Sequence, residues 1–460
     1  MTALSTRRFD LAVIGAGVVG CAIFRRFALG GLKCLLIERG ADILSGVSKA
    51  NSAMLHTGFD APPGSLEHAC IRAGYAEYWE IHEKLNLPIL ETGGLLVAWT
   101  ADELAKLPGI VAQAQQNGVS DVRQVDRAEV LRREPHLAGD AMGGVVVPGE
   151  HVIDPWSAPL AYVLQGMAHG GEVLRGSSVS GGEFDGQAWQ LATRGGLIEA
   201  RIVVNAAGLQ GDIVEAIARP SPFTIKPRKG QFVVFDKPAA RLIGACIMPV
   251  PSERTKGVML ARTVFGNLLV GPTAEEQEDR DHETIERGQI EALIARAARL
   301  LPDLARETVS ALYAGLRPAT QFKDYQIEAL TERNWITVGG IRSTGLTGSL
   351  GIARHVAGLY AQNFGELSQA QPIWTPVPNL AEHRPRRYRE PGYGEIVCHC
   401  ELATRAEIEA ALSGPLPAGD IGGLKRRTRA MMGRCQGFYC SAQVMAIAGE
   451  RFADLPGGGS

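Results

Sequence analysis

The stretch Phe9-Asp-Leu-Ala-Val-Ile-Gly-Ala-Gly-Val-Val-Gly20 decides the reading of the fold. An apolar strand runs into Gly15, Gly17 and Gly20, and an apolar helix follows at once. A second strand, Lys33-Cys-Leu-Leu-Ile37, then ends at Glu38. This order suits a dinucleotide. The glycines allow a tight turn, so that backbone N–H groups around Ala16 and Val18 and the helix N-terminus approach a pyrophosphate, while the acid takes ribose hydroxyls. Spaced glycines alone are a weak signal; strand, helix, strand and a correctly placed acid together make it specific. The class is α/β, built on a Rossmann-type nucleotide domain.

At 460 residues, the length predicts two to three domains. The 47 basic and 49 acidic side chains leave a net charge of −2, so no bulk field favours nucleic acid or an anionic membrane. No run approaches the roughly eighteen apolar residues of a transmembrane helix. Arg7 and Arg8 ahead of an apolar stretch imitate a twin-arginine export signal, but Gly15, Gly17, Gly20, Arg25 and Arg26 interrupt it. Cys21, Cys34, Cys70 and Cys246 are scattered among apolar residues, as buried single thiols are in a reducing compartment, and the cytoplasm is the expected location.

The other cysteines cluster near the C-terminus as Cys398-His399-Cys400, then Cys435 and Cys440. Two close pairs far apart in sequence suit a folded site in which each pair supplies two thiolates. That chemistry leaves two readings open, a [2Fe–2S] centre and an all-thiolate zinc site, although a C-x-C pair is less usual for zinc. The basic stretch Leu424-Lys-Arg-Arg-Thr-Arg429 is expected to offset the negative charge of a four-thiolate cluster.

From Glu395 to about Glu450 the chain resembles the bacterioferritin-associated-ferredoxin-like [2Fe–2S] domain. The matching pieces are Ile396-Val-Cys-His-Cys-Glu401, Thr404-Arg-Ala-Glu-Ile-Glu-Ala-Ala-Leu412 and Leu424 to Cys440. The resemblance implies a [2Fe–2S] cluster on Cys398, Cys400, Cys435 and Cys440. Upstream, Ser45-Gly-Val-Ser-Lys-Ala-Asn-Ser-Ala-Met-Leu-His-Thr-Gly58 resembles the flavin loop of D-amino-acid-oxidase-like flavoproteins. Val203-Val-Asn-Ala-Ala-Gly-Leu209 resembles their second phosphate-side turn, and Asn334-Trp-Ile-Thr-Val-Gly-Gly-Ile-Arg-Ser-Thr-Gly-Leu-Thr-Gly348 their C-terminal flavin segment. Taken alone, the last stretch also reads as an ordinary β-turn-α connection. In family order the three segments imply FAD. The implied FAD contacts are Gly15, Ala16, Gly17, Val18, Gly20, Glu38 and Arg39 in the first unit. Further along they are Ser48, Asn51, Ser52 and Met54 in the loop, Val179, Ala207, Gly208, Gly340, Gly345, Leu346 and Thr347.

The expected organisation is a discontinuous FAD-binding domain (1–90, 153–217 and 325–365) with an inserted α+β substrate domain (91–152 and 218–324). A Pro-rich, basic surface linker (366–394) then leads to a small C-terminal [2Fe–2S] domain (395–452). Helices are expected near 101–117 and over 283–301.

Oxidation of a C–H bond by a flavin needs a base for the hydroxyl or amine proton and a cation for the substrate's anion. His56, in the flavin loop, is the first candidate for base or orienting group; a structural histidine bonded to backbone is the plainer reading. Arg317 and Arg342 are candidate anion clamps, since a planar guanidinium fork suits carboxylate or phosphate. Either could equally serve a surface or interface ion pair. Lys229 and Gln231 are expected to face the same cavity. Asp154 reads as a helix N-cap, with Pro155 in the first helical position and His151 just upstream.

Over nearly its full length the chain resembles catalytic subunits of anaerobic glycerol-3-phosphate dehydrogenases. In His56-Thr-Gly-Phe-Asp-Ala-Pro-Pro-Gly-Ser65 it is also similar to L-2-hydroxyglutarate oxidases. The implied activity is an FAD-dependent dehydrogenase for a small anionic 2-hydroxy acid or polyol phosphate. Its electrons would pass through the cluster to a companion subunit or quinone-linked acceptor, with any membrane association peripheral and through that partner. The alternatives are an amine or imino-acid dehydrogenase and a non-catalytic electron-transfer subunit.

Overall fold

The protein is described by a computed structural model over residues 7–251, 257–368 and 370–452. The opening motif folds as strand Arg7–Ile14, helix Val18–Leu29 and strand Cys34–Ile37, the two strands lying parallel. On the other side of Arg7–Ile14 runs the parallel strand Gly196–Asn205, which in turn pairs with Trp335–Gly339. These four belong to an eight-stranded sheet. Near-continuous apolar runs suit strands covered on both faces, and Leu11, Ala12, Val13, Val203 and Val204 are fully buried. All four strands end on the same edge, and an open α/β sheet offers its ligand crevice beyond the carboxyl ends of its strands.

Segments 94–147 and 226–319 together build a second sheet of nine strands. The two segments meet where Gly94–Ala98 runs parallel to Cys246–Pro249; every other pairing in the sheet is antiparallel. Alternate residues serve opposite faces, as a period of two requires. Leu95 and Val97 pack in the core under helix Arg287–Leu300, whereas Leu96 and Ala98 join Leu107 and Ala114 of helix Ala101–Gln116. Strand Val309–Ala319 pairs along Lys226–Phe235 and sets Arg317 opposite Arg228.

A close helix crossing positions the last flavin segment. Helix Leu66–Ile81 meets helix Gly345–Asn363 where a Cβ on Gly74 would stand 2.1 Å from the Thr347 carbonyl. One on Gly351 would stand 2.0 Å from that of Cys70. Only glycine lets the backbones approach this far.

The C-terminal unit packs strands Ile396–Cys398 and Ala403–Thr404 with helices Arg405–Ser413, Ile421–Thr428 and Ser441–Ala448 around its own apolar cluster. A capping box between Thr404 and Glu407 starts the first of these helices. The Pro-rich segment before this unit differs from the expected surface linker. Val377, Leu380, Ala381 and Arg386 are buried, and Val377 N–H donates to the Leu85 carbonyl at 3.1 Å. Pro155 likewise lies outside the helix, which begins at Ser157, but Asp154 still caps it by accepting from Trp156 and Ser157 N–H at 2.9 and 3.0 Å. Burial pushes the Asp154 carboxyl up, against the pull of those bonds.

Candidate functional site

Beyond the four strand ends lies a cavity of about 790 Å³, within the range of cofactor and substrate sites. The turns that follow the strands line it: Gly15 and Gly17, Glu38 to Gly40, Ala206 to Gly208, and Gly340 to Thr344. Gly15 has φ +104°, and a Cβ there would sit 2.5 Å from the Ala206 carbonyl, so the two phosphate-side turns touch only because one is glycine. Gly20 packs in the same way on the Gly15 carbonyl. Glu38 is buried, with its carboxylate accepting from the Ala16 and Gly40 N–H groups at 2.8 Å each. The helix that starts after Gly17 has no acid in its first turn, and its Val18 N–H donates to Ser48 Oγ of the cavity loop at 3.0 Å, so the helix N-terminus and that loop face one anion-compatible corner. These features fit a dinucleotide.

Val18, Arg39, Ser48, Asn51, Ser52, Val179, Ala207, Gly208, Gly340, Gly345 and Leu346 line this space. Ala16, Gly20, Met54 and Thr347 stand behind it. Thr347 has a positioning part: its hydroxyl accepts from His56 N–H at 3.0 Å and donates to the Met54 carbonyl at 3.1 Å. The helix start thereby holds the loop that carries the histidine.

His56 and Arg317 both line the cavity. His56 Nδ1 lies 2.8 Å from the carboxylate of Glu150, which has no exposed surface. Glu150 also accepts from Thr57 N–H and Oγ1–H at 2.6 and 2.8 Å. A carboxylate on Nδ1 fixes the tautomer and the orientation of the ring. Sequence reasoning missed Glu150, since only its neighbour His151 drew attention. His151 turns away, edge-on to Trp79, and burial lowers its pKa.

Arg317 is half-buried, and among the described residues its hydrogen-bond partners are two carbonyls, of Lys229 and Thr273, each at 3.4 Å. Burial lowers its pKa, and Arg228 adds to this. Arg342 lines the same wall and donates to the Lys323 carbonyl. Lys229 departs from expectation: it pairs with Glu286 and lies 3.9 Å from Glu275, so its charge is taken up beside the cavity. Strand alternation places Arg228, not Lys229, on the cavity wall. Gln231 is also buried away from the cavity, bonded to the Glu286 N–H at 2.7 Å.

In the C-terminal unit the thiols neighbour one another in two pairs, Cys400 with Cys435 and Cys398 with Cys440. Among the described residues no three of His, Cys, Asp and Glu converge on one ion position. Cys398 also lies close enough to act on Cys400, and Cys435 on Cys440, so the four thiols gather into one four-thiolate site. The Tyr439, Gly437 and Phe438 N–H groups point at Cys435 and lower its pKa. Leu402, Arg429, Met431 and Gln436 all take positive φ here, the contortion that wraps backbone around the thiols. Between Cys435 and Cys440, Phe438 and Tyr439 stand 81% and 79% exposed, ring against ring.

The basic run is used differently from expectation. Lys425 does lie near Cys440. Arg427 instead reaches the buried carboxylate of Asp42 at 2.9 Å, and Arg426 donates to the Ile43 carbonyl at 3.0 Å. Asp42 also accepts from Gly419 N–H at 3.1 Å and from Arg175 at 3.2 Å. Arg434 pairs with Asp236 at 2.7 Å and Lys237 with Glu401 at 3.6 Å, so the small unit is docked on both larger ones.

Comparison with known proteins gives a consistent picture. The family of FAD dependent oxidoreductases (DAO) matches residues 10–359, and the BFD-like [2Fe-2S] binding domain matches residues 396–450. A glycerol 3-phosphate dehydrogenase of Caloramator mitchellensis is 31% identical over 448 residues, covering 95% of this chain and 93% of that protein. One subunit of the anaerobic glycerol-3-phosphate dehydrogenase of Escherichia coli K12 is 24% identical over 497 residues, covering 96% and 88%. Among solved structures, dithionite-reduced L-alpha-glycerophosphate oxidase from Mycoplasma pneumoniae with FAD bound superposes with a TM-score of 0.75 at 24% identity, over 81% of this chain and all of that one.

Proposed function

The chain belongs to the DAO family of FAD-dependent oxidoreductases, with FAD and a [2Fe–2S] cluster as its cofactors, and on that premise we propose that it oxidises glycerol-3-phosphate to the corresponding ketone. The observation that carries the substrate class is Arg317, a half-buried guanidinium on the wall of the cavity that also holds His56. A planar fork whose hydrogen-bond partners among the described residues are two carbonyls at 3.4 Å suits a phosphate bidentately. The full-length likeness to a glycerol 3-phosphate dehydrogenase supports phosphate over carboxylate.

In this reading His56 Nε2 takes the proton of the substrate hydroxyl while Glu150 holds the ring and offsets the charge that develops on it. Arg317 grips the phosphate and sets the carbon that loses hydride; Arg342 is a second anion contact. When bound, the flavin supplies a hydride acceptor and the cluster a one-electron carrier. Cys398, Cys400, Cys435 and Cys440 would hold that cluster, and the turns at Gly15, Glu38, Ala207 and Gly340 the flavin.

Electrons leave, on this proposal, to a companion protein that meets the exposed Phe438 and Tyr439 beside Cys435. That the Escherichia coli relative is itself one subunit of a larger enzyme supports a companion. Among the described residues no helix is long and apolar enough to cross a membrane, and the buried free thiols support a cytoplasmic location. The test is an anaerobic titration with glycerol-3-phosphate, 2-hydroxyglutarate and N-alkyl amino acids while the flavin band is followed. Bleaching by glycerol-3-phosphate at the lowest concentration is the expected result; bleaching only by an amine would overturn the reading.

A further inference from the structure

We propose that Trp156, Phe265 and Arg429 form the contact through which electrons cross from the flavin cavity to the cluster. The inference rests on the reading that the cluster drains the flavin, and it adds which side chains carry the transfer. The residues come from three separate stretches of the chain, yet they pack as one group. Trp156 follows Pro155, which lines the cavity, and its indole N–H donates to the Lys49 carbonyl at 3.1 Å. Lys49 sits between Ser48 and Ala50, both also on the cavity wall, in the loop whose Asn51 carbonyl accepts from Tyr313 on the strand of Arg317. The Trp156 ring stacks on Phe265 with centroids 5.3 Å apart and planes 13° from parallel. The guanidinium of Arg429 lies 4.1 Å from the Phe265 centroid and 5.9 Å from that of Trp156.

Arg429 then ties this stack to the cluster site. It is 5% exposed, its Nε donates to the buried Glu401 at 3.2 Å, and Glu401 is bonded in sequence to Cys400. Electron tunnelling falls steeply with distance and favours packed, bonded routes over gaps. The docking contact of Asp42 with Arg427 starts at the Glu38 end of the cavity and offers no ring, and those of Arg434 with Asp236 and Lys237 with Glu401 are ion pairs without one. The aromatic contact starts in the loop that carries His56, where a substrate would be oxidised.

The electron count is simple. Each substrate loses two electrons and two protons in becoming the ketone. With both cofactors bound, the electrons would cross this contact one at a time, two crossings per substrate, and pass on to a one-electron acceptor; of the two protons, one would leave through His56 and the other from the reduced flavin to solvent, neither crossing the contact.

Flash photoreduction of the bound flavin with a sacrificial donor tests this without any substrate, so it fails separately from the assignment of glycerol-3-phosphate. Loss of flavin absorbance should be followed by appearance of the reduced cluster's electron paramagnetic resonance signal. In Trp156→Leu that second phase slows by about an order of magnitude or more, and in Trp156→Phe it slows far less. Midpoint potentials of both centres and the protease-cleavage pattern over residues 370–394 stay as in the parent protein. A parent-like second phase in Trp156→Leu overturns the proposal, as does slowing that follows a shifted potential or a released domain. Phe265→Leu and Arg429→Met put the same question if Trp156→Leu fails to fold or to load its cofactors.

Discussion

The carboxylate of Glu150, wholly buried, sits 2.8 Å from Nδ1 of His56 although 94 residues separate them in sequence. A buried acid behind an imidazole fixes which nitrogen faces the substrate. If His56 is the base, His56→Asn lowers the rate of flavin bleaching by roughly 10²–10⁴-fold, the usual worth of general base catalysis. Glu150→Gln keeps the shape but loses the charge, and a smaller loss of the same sign is expected. Rapid-mixing absorbance under anaerobic conditions measures both, and unchanged bleaching in His56→Asn would demote the histidine to a structural part.

Arg317 is the substrate's anchor in this account. Losing one charge-assisted contact costs about 1.5–3 kcal/mol, so Arg317→Gln should raise KM for glycerol-3-phosphate by roughly 10- to 100-fold. Arg317→Lys restores the charge without the fork and should recover only part of the loss. A fall confined to kcat, with KM unchanged, would contradict an anchoring role.

The cluster should be separable from the first half-reaction. Cys435→Ser removes one thiolate, so the visible bands of the cluster should weaken or vanish. Bleaching of the flavin by substrate should continue, while turnover with one-electron acceptors falls. Loss of bleaching itself would count against this division of labour.

Phe438→Ser with Tyr439→Ser tests the exit. Both rings are more than three-quarters exposed, so folding should be unaffected. Turnover with a protein acceptor should drop while turnover with a small dye is kept; equal rates with both would move the docking surface elsewhere.

Docking of the small unit depends on Asp42. Burial by itself would raise its carboxyl pKa, but hydrogen bonds and charge from Arg427, aided by Gly419 N–H and Arg175, hold it below the ordinary value. A depressed acid contributes stability that is present above the unfolded pKa of about 3.9 and lost as pH falls through the lower folded value. The contact should therefore survive at pH 5 and weaken only in stronger acid. Asp42→Asn breaks the pair at neutral pH, at a cost of about 3–5 kcal/mol. Faster cleavage within residues 370–394 and a lower Tm are expected; an unchanged pattern would show that the other contacts suffice.

What could be read in advance was what is local. Gly15, Gly17, Gly20 and Glu38 lie on one strand-helix-strand unit, and the helices at Ala101–Gln116 and Arg287–Leu300 announce themselves through their own apolar spacing. Glu150 was hidden because its partnership with His56 exists only after strands Met54–Leu55 and His151–Ile153 have paired. Lys229 misled for another reason. Alternation shows that Arg228 and Lys229 face opposite sides of a strand, but not which side holds the cavity. The arginines after Leu424 were legible as charge and not as contacts, since helix phase turns Lys425 toward Cys440 and Arg426 and Arg427 toward the Asp42 loop.

Glu38 and Asp42 stand four residues apart on one short loop, the first facing the nucleotide cavity and the second gripping Arg427. One loop thus serves both tasks, and any coupling between filling the cavity and seating the small unit runs equally in both directions.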